Sequence, residues 1–538
     1  MRRPFDKARV TAICALCALT VSALDLAAPP GAEAQSPSFD PSAFTVYHGD
    51  AAGSGVVASI SAVRTAQPVW TSPSLDGQIF GEPLADGGRV YVATENDTVY
   101  ALSAATGAID WSRHVGTPVP SGSLPCGDIT PEVGITGTPV IDQSRSEIFL
   151  VADEFLDGSP SHHLIGLSLA SGAVELNERV DPPGSAPAAI LQRTGLTLDA
   201  GRVVFGFGGN YGDCSTYHGW VVGAGETGGT PLDFEVDSAA GDDQGAIWMG
   251  GAAPAVDNEG DIWVEAGNGS VKSTAEAYDD SDSVLELSSS LRLLQYFAPS
   301  TWASDNASDL DLSMEPALLT DGAVVAAGKS RIAFLLNRTH LGGIGGQEAE
   351  LGSLCSNDID GGSAVIGSTV YLPCLSGVVA IAVGVSPPAL HLRWSSDTGG
   401  GPPLVAAGLV WTIGQNGELY GLDPRTGQVR QQAQVGTPAN HFPTPSVGDG
   451  LLLAPSSDRV VAFSAPAAGG TTTTTGAGGG TTTTATTAPT STSTTPRPTK
   501  APSRGLPTGL SALIVVAGVA IGGTAAWLIA RRRGGRTS

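Results

Sequence analysis

The stretch RVYVATENDTVYALSAATGAIDW, Arg89 to Trp111, contains two runs of alternating residues divided by a polar turn at Glu95 to Asp97. Alternation with a period of two is the mark of strands with one face in a core. Thr106-Gly107 then turns the chain, and Trp111 opens the next segment. The pattern returns as EIFLVAD…HLIGLSLASGAVEL from Glu147, RVVFGFGGN…GWVVGAGETGG from Arg202 and DIWVEAGNG…SVLELSSSLRLLQYF from Asp261. It continues as AVVAAGKSRIAFLLNRTH from Ala323, TVYLPCLSGVVAIAV from Thr369, LVWTIGQNGELYGLDPRTGQV from Leu409 and LLLAPSSDRVVAFSA from Leu451. Most copies follow a proline-containing strand start, as at Glu82-Pro83, Thr138-Pro139 and Thr444-Pro445.

A unit this short cannot bury its own apolar face, so its copies must stack on one another. Eight four-stranded antiparallel sheets arranged radially make an all-β propeller. The uneven middle copies leave seven blades as the alternative. A ring must close, so either Phe44 to Tyr47 or Val69-Trp70 is expected to complete the last blade. The propeller is expected to fill residues 35–468.

Composition agrees: 72 Gly and 37 Pro, with 15% charged residues in a chain of 538, suit strands and turns better than helical bundles. The 27 basic and 52 acidic residues give a net charge of −25, but eleven basic residues lie before residue 35 or after 468. The body keeps 16 basic against 49 acidic residues, a net charge of −33. Such a surface repels phosphate backbones, which excludes nucleic acid as a partner.

The ends of the chain supply an address. Arg2, Arg3, Lys7 and Arg9, the apolar run Val10 to Leu24 and Ala32-Glu33-Ala34 read as a signal peptide over 1–34. Residues 469–505 are nearly all Thr, Gly, Pro, Ala and Ser, the composition of a disordered, hydrated stalk. Within 506–530, Leu510 to Ala530 are 21 residues without a charge, enough for one transmembrane helix. The arginine-rich tail 531–538 then faces the cytoplasm. GLPTGL at 505–510 is similar to a sortase sorting signal but is one residue short between Pro507 and Thr508. Single-pass anchoring in the cell membrane, propeller outward, is therefore expected, with cell-wall attachment as the alternative. The Gly-, Ala- and Thr-rich bias and the stalk suggest an actinobacterial source. Outside the cell, Cys126, Cys214, Cys355 and Cys374 read as two disulfides. Of three pairings, Cys126–Cys214 and Cys355–Cys374 is the expectation.

VYALSAATGAIDW and LYGLDPRTGQV resemble the repeat of pyrroloquinoline-quinone (PQQ) enzymes, over most of residues 45–465. CGDITPEVGITGTPVID from Cys126, GGNYGDCSTYHGWVV from Gly208 and HLGGIGGQ from His340 resemble secreted PQQ-like propellers more closely. GAIWMGGAAPAVDNEGDIWVEAGNGS, Gly245 to Ser270, is similar to a segment of the quinoprotein alcohol dehydrogenases. The resemblance implies that Trp248 is a floor for PQQ and Asn268 a calcium ligand. Farther on it puts a catalytic aspartate at Asp309 or Asp311, without choosing, and a quinone-contacting cation at Lys329. Asn210 stands where that family has a metal-binding glutamate, which removes a charge from the implied calcium site.

Each residue has a structural alternative. Trp248 can pack between blades, Asn268 lies in a Gly-Asn-Gly turn, and Asp309 and Asp311 sit in a polar loop. The acidic loop with Asp279, Asp280 and Asp282 has the oxygen ligands to hold calcium, with solvation as the expected reading. Two functions are therefore carried forward. One is a surface-anchored module that binds an extracellular ligand or protein. The other is a quinoprotein dehydrogenase that oxidises an alcohol or sugar with PQQ and calcium.

Overall fold

The computed structural model describes residues 43–467. The expected signal peptide, stalk, transmembrane helix and basic tail lie outside the described residues. Eight sheets follow one another along the chain, each built on a four-stranded antiparallel meander, and three of them carry a fifth strand. Blade 1 comprises Leu84–Asp86, Arg89–Thr94, Thr98–Ser103 and Ile109–His114. Blades 2 to 7 begin at Val140, Thr197, Ala255, Ala317, Ala364 and Leu404. Blade 8 takes Ser446–Gly448, Leu451–Ser456 and Arg459–Ser464 from the end of the described chain. Its fourth strand, Trp70–Thr71, comes from the beginning, with Trp70 opposite Ala462. Trp70 thus closes the ring. Phe44 instead bridges Ala85 of blade 1, and Val56–Val57 runs parallel to the first strand of blade 7.

Burial follows the radial order. In blade 1 the two middle strands are almost wholly buried, whereas the outermost, Ile109–His114, faces solvent along its length. Apolar residues from neighbouring blades form shared cores, as where Phe149 and Leu164 of blade 2 join Phe205 and Val222 of blade 3.

The tryptophans explain why a glycine recurs in this turn, after Thr106, Ser171 and Thr426. Trp70 in blade 8 lies against Gly107 of blade 1, Trp111 against Gly172 of blade 2, and Trp394 against Gly427 of blade 7. A Cβ at those glycines would stand 2.5 to 2.7 Å from an indole carbon. Each indole nitrogen donates to a carbonyl of the same neighbouring hairpin: Ala104 O at 2.8 Å, Leu169 O at 3.1 Å and Pro424 O at 3.0 Å. The three glycines also have positive φ, which they adopt without strain. The outer tryptophan of one blade is therefore latched to the hairpin of the next. Both disulfides form as expected, Cys126–Cys214 and Cys355–Cys374.

Candidate functional site

Four residues that precede the innermost strands of different blades meet. Phe80 comes before blade 1, Arg193 before blade 3, Trp248 before blade 4 and Phe442 before blade 8. The Arg193 guanidinium carbon stands 5.6 Å from the Phe442 ring centre and 5.8 Å from that of Phe80, and Phe442 lies 5.9 Å from Trp248. Residues of blades 1, 3, 4 and 8 can meet only near the axis of the ring. Trp248 therefore stands near the axis of the ring.

Beside it lies the polar group expected from the sequence. Asn268 follows the second strand of blade 4, Ile262–Ala266, and Lys329 follows the second strand of blade 5, Ala323–Ala327. Equivalent strands of adjacent blades end on the same face, which brings these two side chains together. Asp309 and Asp311 lie in the connection between those blades, after the short helix Trp302–Asn306. Two glycines admit this connection. The Asp311 carbonyl oxygen occupies the place a Cβ on Gly328 would take, 1.9 Å from it, and the Asp311 carboxyl carbon stands 3.0 Å from a Cβ position on Gly267.

The structure separates the two aspartates that the sequence left equivalent. Asp311 has a side chain only 5% exposed, and three donors reach it. Lys329 Nζ lies 2.8 Å from its Oδ2, the Trp248 indole nitrogen donates to Oδ2 at 3.1 Å, and the Asn268 backbone N–H donates to Oδ1 at 2.9 Å. Asp309 is 67% exposed and meets Lys329 Nζ at 2.9 Å. Burial disfavours the Lys329 ammonium, but Asp311 and then Asp309 outweigh it and hold the group charged, above the ordinary lysine range. Its Nζ also stands 5.4 Å from the Trp248 ring centre, within cation–π range.

The Asn268 amide has two alternatives. With its oxygen toward Asp309 and Asp311, oxygens from three side chains converge, the donor type a hard cation takes. With the amide reversed, its nitrogen donates to Asp309 Oδ1 at 3.2 Å and also to Asp311 Oδ1. The network then closes without a cation, and this orientation satisfies all the partners. Among the described residues Asn210 makes no hydrogen bond with the other five: its Nδ2 donates to Ala188 O at 2.9 Å. It lines a surface depression with Cys126, Asp128, Leu191 and Tyr211.

A second polar pair stands behind the site. Tyr217 donates its hydroxyl to Asp213 Oδ1 at 2.7 Å. Burial raises the Asp213 pKa, the Tyr217 bond lowers it, and the charges of Asp311 and Asp309 raise it again. The acidic loop departs from the sequence reading: Asp279 and Asp282 are buried, and Asp282 Oδ1 accepts the Leu312 N–H at 2.9 Å. Asp282 is thus a brace for the Asp311 segment. Sequence reasoning also missed Arg193, Phe80 and Phe442. The available signal was Phe442 before Pro443, in the run that leads into the Thr444-Pro445 strand start.

The chain's similarities to known proteins agree with the propeller. The family model described as outer membrane protein assembly factor BamB matches residues 21–216. A quinohemoprotein alcohol dehydrogenase from Comamonas testosteroni aligns with a TM-score of 0.58 and 14% identity, over 79% of this chain and 80% of that one. A europium-containing methanol dehydrogenase aligns at 0.53 and 13%, over 79% and 98%. BamB from Moraxella catarrhalis aligns at 0.50 and 14%, over 75% and 100%. No curated protein matches the chain. Enzymes and an assembly factor share this fold, so the chemistry must be argued from the site.

Proposed function

We propose that this chain is a PQQ-like propeller that acts as an extracellular binding module, with its ligand at the Trp248 end of the axis. The supporting observation is the closed network around Asp311. Lys329, Trp248 and the Asn268 backbone already satisfy this buried carboxylate. Turning the Asn268 amide completes the network from the chain's own donors. The half-buried Trp248 ring and exposed Asp309 remain for a ligand with a flat apolar face and a polar edge. Presentation on a membrane-anchored stalk suits that role.

A second reading, the quinoprotein dehydrogenase, is favoured by the convergence of Trp248, Asn268, Asp309, Asp311 and Lys329. Asp309, Asp311 and the Asn268 oxygen fit calcium in donor type. When bound, PQQ supplies the hydride chemistry. Trp248 would lie under the ring, Lys329 would meet its polar edge, and Asp309 or Asp311 would receive the alcohol proton. Against this reading, Asn210 has its amide nitrogen directed to Ala188, and the body's charge of −33 repels a polycarboxylate.

A thermal-shift screen of small planar ligands tests the first reading. Hits should lose their effect in Trp248→Ala and keep it in a distant surface variant. Dye reduction by the chain with PQQ, calcium and a panel of alcohols would support the second instead.

A further inference from the structure

Away from the axis, three carboxylates meet on blade 4. Asp257 and Asp261 lie in the hairpin DNEGD between the first two strands, and Glu286 stands on the third strand opposite Trp263. One carboxylate oxygen from each lies within 4.8 Å of the other two. A calcium ion about 2.3–2.6 Å from each of three oxygens produces separations of that order.

The hairpin holds its carboxylates in place. Asp257 Oδ1 accepts the backbone N–H groups of Glu259 and Asp261, both at 3.0 Å, and its Oδ2 accepts the Trp263 indole nitrogen at 3.1 Å. Glu286 supplies the independent observation. It is 7% exposed, and its Oε2 is buried with no hydrogen-bond partner. Such an orphan oxygen is costly unless something outside the chain satisfies it.

The surroundings add negative charge. Asp199, on the facing hairpin of blade 3, has a buried Oδ2 without a partner and lies 3.5 Å from a Cβ position on Gly260. Glu259 acts on Asp261 as another like charge. Gln295 and Arg338 are the favourable neighbours of Glu286. The Gln295 amide also donates to Arg338 O and accepts the Leu341 N–H, and Arg338 forms no ion pair with Glu286 among the described residues. Five carboxylates thus gather with one guanidinium nearby.

We propose that Asp257, Asp261 and Glu286 bind a calcium ion where blades 3 and 4 meet, with Asp199 closing on it from blade 3. The ligands are all oxygens, which selects a hard cation, and water can complete an irregular coordination sphere that calcium tolerates better than magnesium. The ion clamps two blades that lack the tryptophan–glycine latch seen between blades 1 and 2. This site shares no residue with the axial group.

The test measures the melting temperature of the purified chain with chelator and with calcium up to ~10 mM, above the weakest extracellular calcium modules. Calcium should raise the melting temperature, by linkage to a site present only in the folded state. The rise should vanish in Asp261→Asn/Glu286→Gln and persist in Asn268→Ala/Asp309→Asn. Without calcium the first variant should melt no lower than the parent, because mutually repelling charges have gone. Terbium supplies a direct readout: emission excited through Trp263 should be displaced by calcium, weakened in Trp263→Phe and abolished in Asp261→Asn/Glu286→Gln. No calcium-dependent rise in the parent, or the same rise in Asp261→Asn/Glu286→Gln, overturns the proposal.

Discussion

The Lys329 ammonium lies 2.8 Å from Asp311 Oδ2, a nearly buried carboxylate that also accepts the Trp248 indole N–H. This pair joins blade 5 to the segment after blade 4 and fixes the polar side of the axial site. Removing Lys329 alone leaves Asp311 without its cation. Lys329→Met should therefore destabilise the chain by about 3–5 kcal/mol, the usual cost of breaking a buried pair. Adding Asp311→Asn should recover part of the loss in denaturant unfolding.

Asp309 meets the same ammonium from solvent. An exposed ion pair contributes about 0–1 kcal/mol, so Asp309→Asn should change stability little. If Asp309→Asn destabilises as much as Lys329→Met, the division between a buried and an exposed aspartate is wrong.

The ring is closed by Trp70, packed on Gly107 and bonded to Ala104 O. Trp70→Ala should cost about 3–5 kcal/mol, as large-to-small core changes do. Gly107→Ala should also destabilise, because its φ is positive and its Cβ would strike the indole. Chemical denaturation of both variants measures the latch; a loss within experimental error would mean that closure does not depend on it.

Acidity should stabilise the chain. Burial pushes Glu95, Asp153 and Asp360 up to about 7 and Asp237 up to about 9. Folded carboxylates then hold protons that unfolded ones have released above about pH 4. Their contribution is complete below that range and is lost as pH rises through 7, and through 9 for Asp237. His48, pushed down to about 3 by burial, acts the other way below its ordinary value near 6.5. With four acids against one histidine, the melting temperature should be higher at about pH 5.5 than at about pH 8. A higher value at the alkaline pH would contradict this balance.

Much of this architecture was legible in the chain because it is local. Arg89 to Trp111 contains both strands, the Thr-Gly turn and the latching tryptophan of one blade, and its recurrence determines the ring. Trp248, Asn268 and Lys329 were found through resemblance of short segments. Whether Asp309 or Asp311 faces inward could not be read, because that depends on Gly267 and Gly328, each brought close only by the fold. Arg193, Phe80 and Phe442 come from three separate blades and have no common sequence signal. Asp279 and Asp282 misled because a carboxylate in a polar run ordinarily reads as solvated; here the packing of the fold encloses them.

The most direct test of the axial site is a calorimetric titration of the purified chain with PQQ, with calcium and with chelator, beside Trp248→Ala and Lys329→Ala. The account of a polar network closed by its own donors predicts no calcium-dependent quinone binding. Calcium-dependent binding that disappears in both variants would contradict it and establish the axial group around Trp248 as a quinone site.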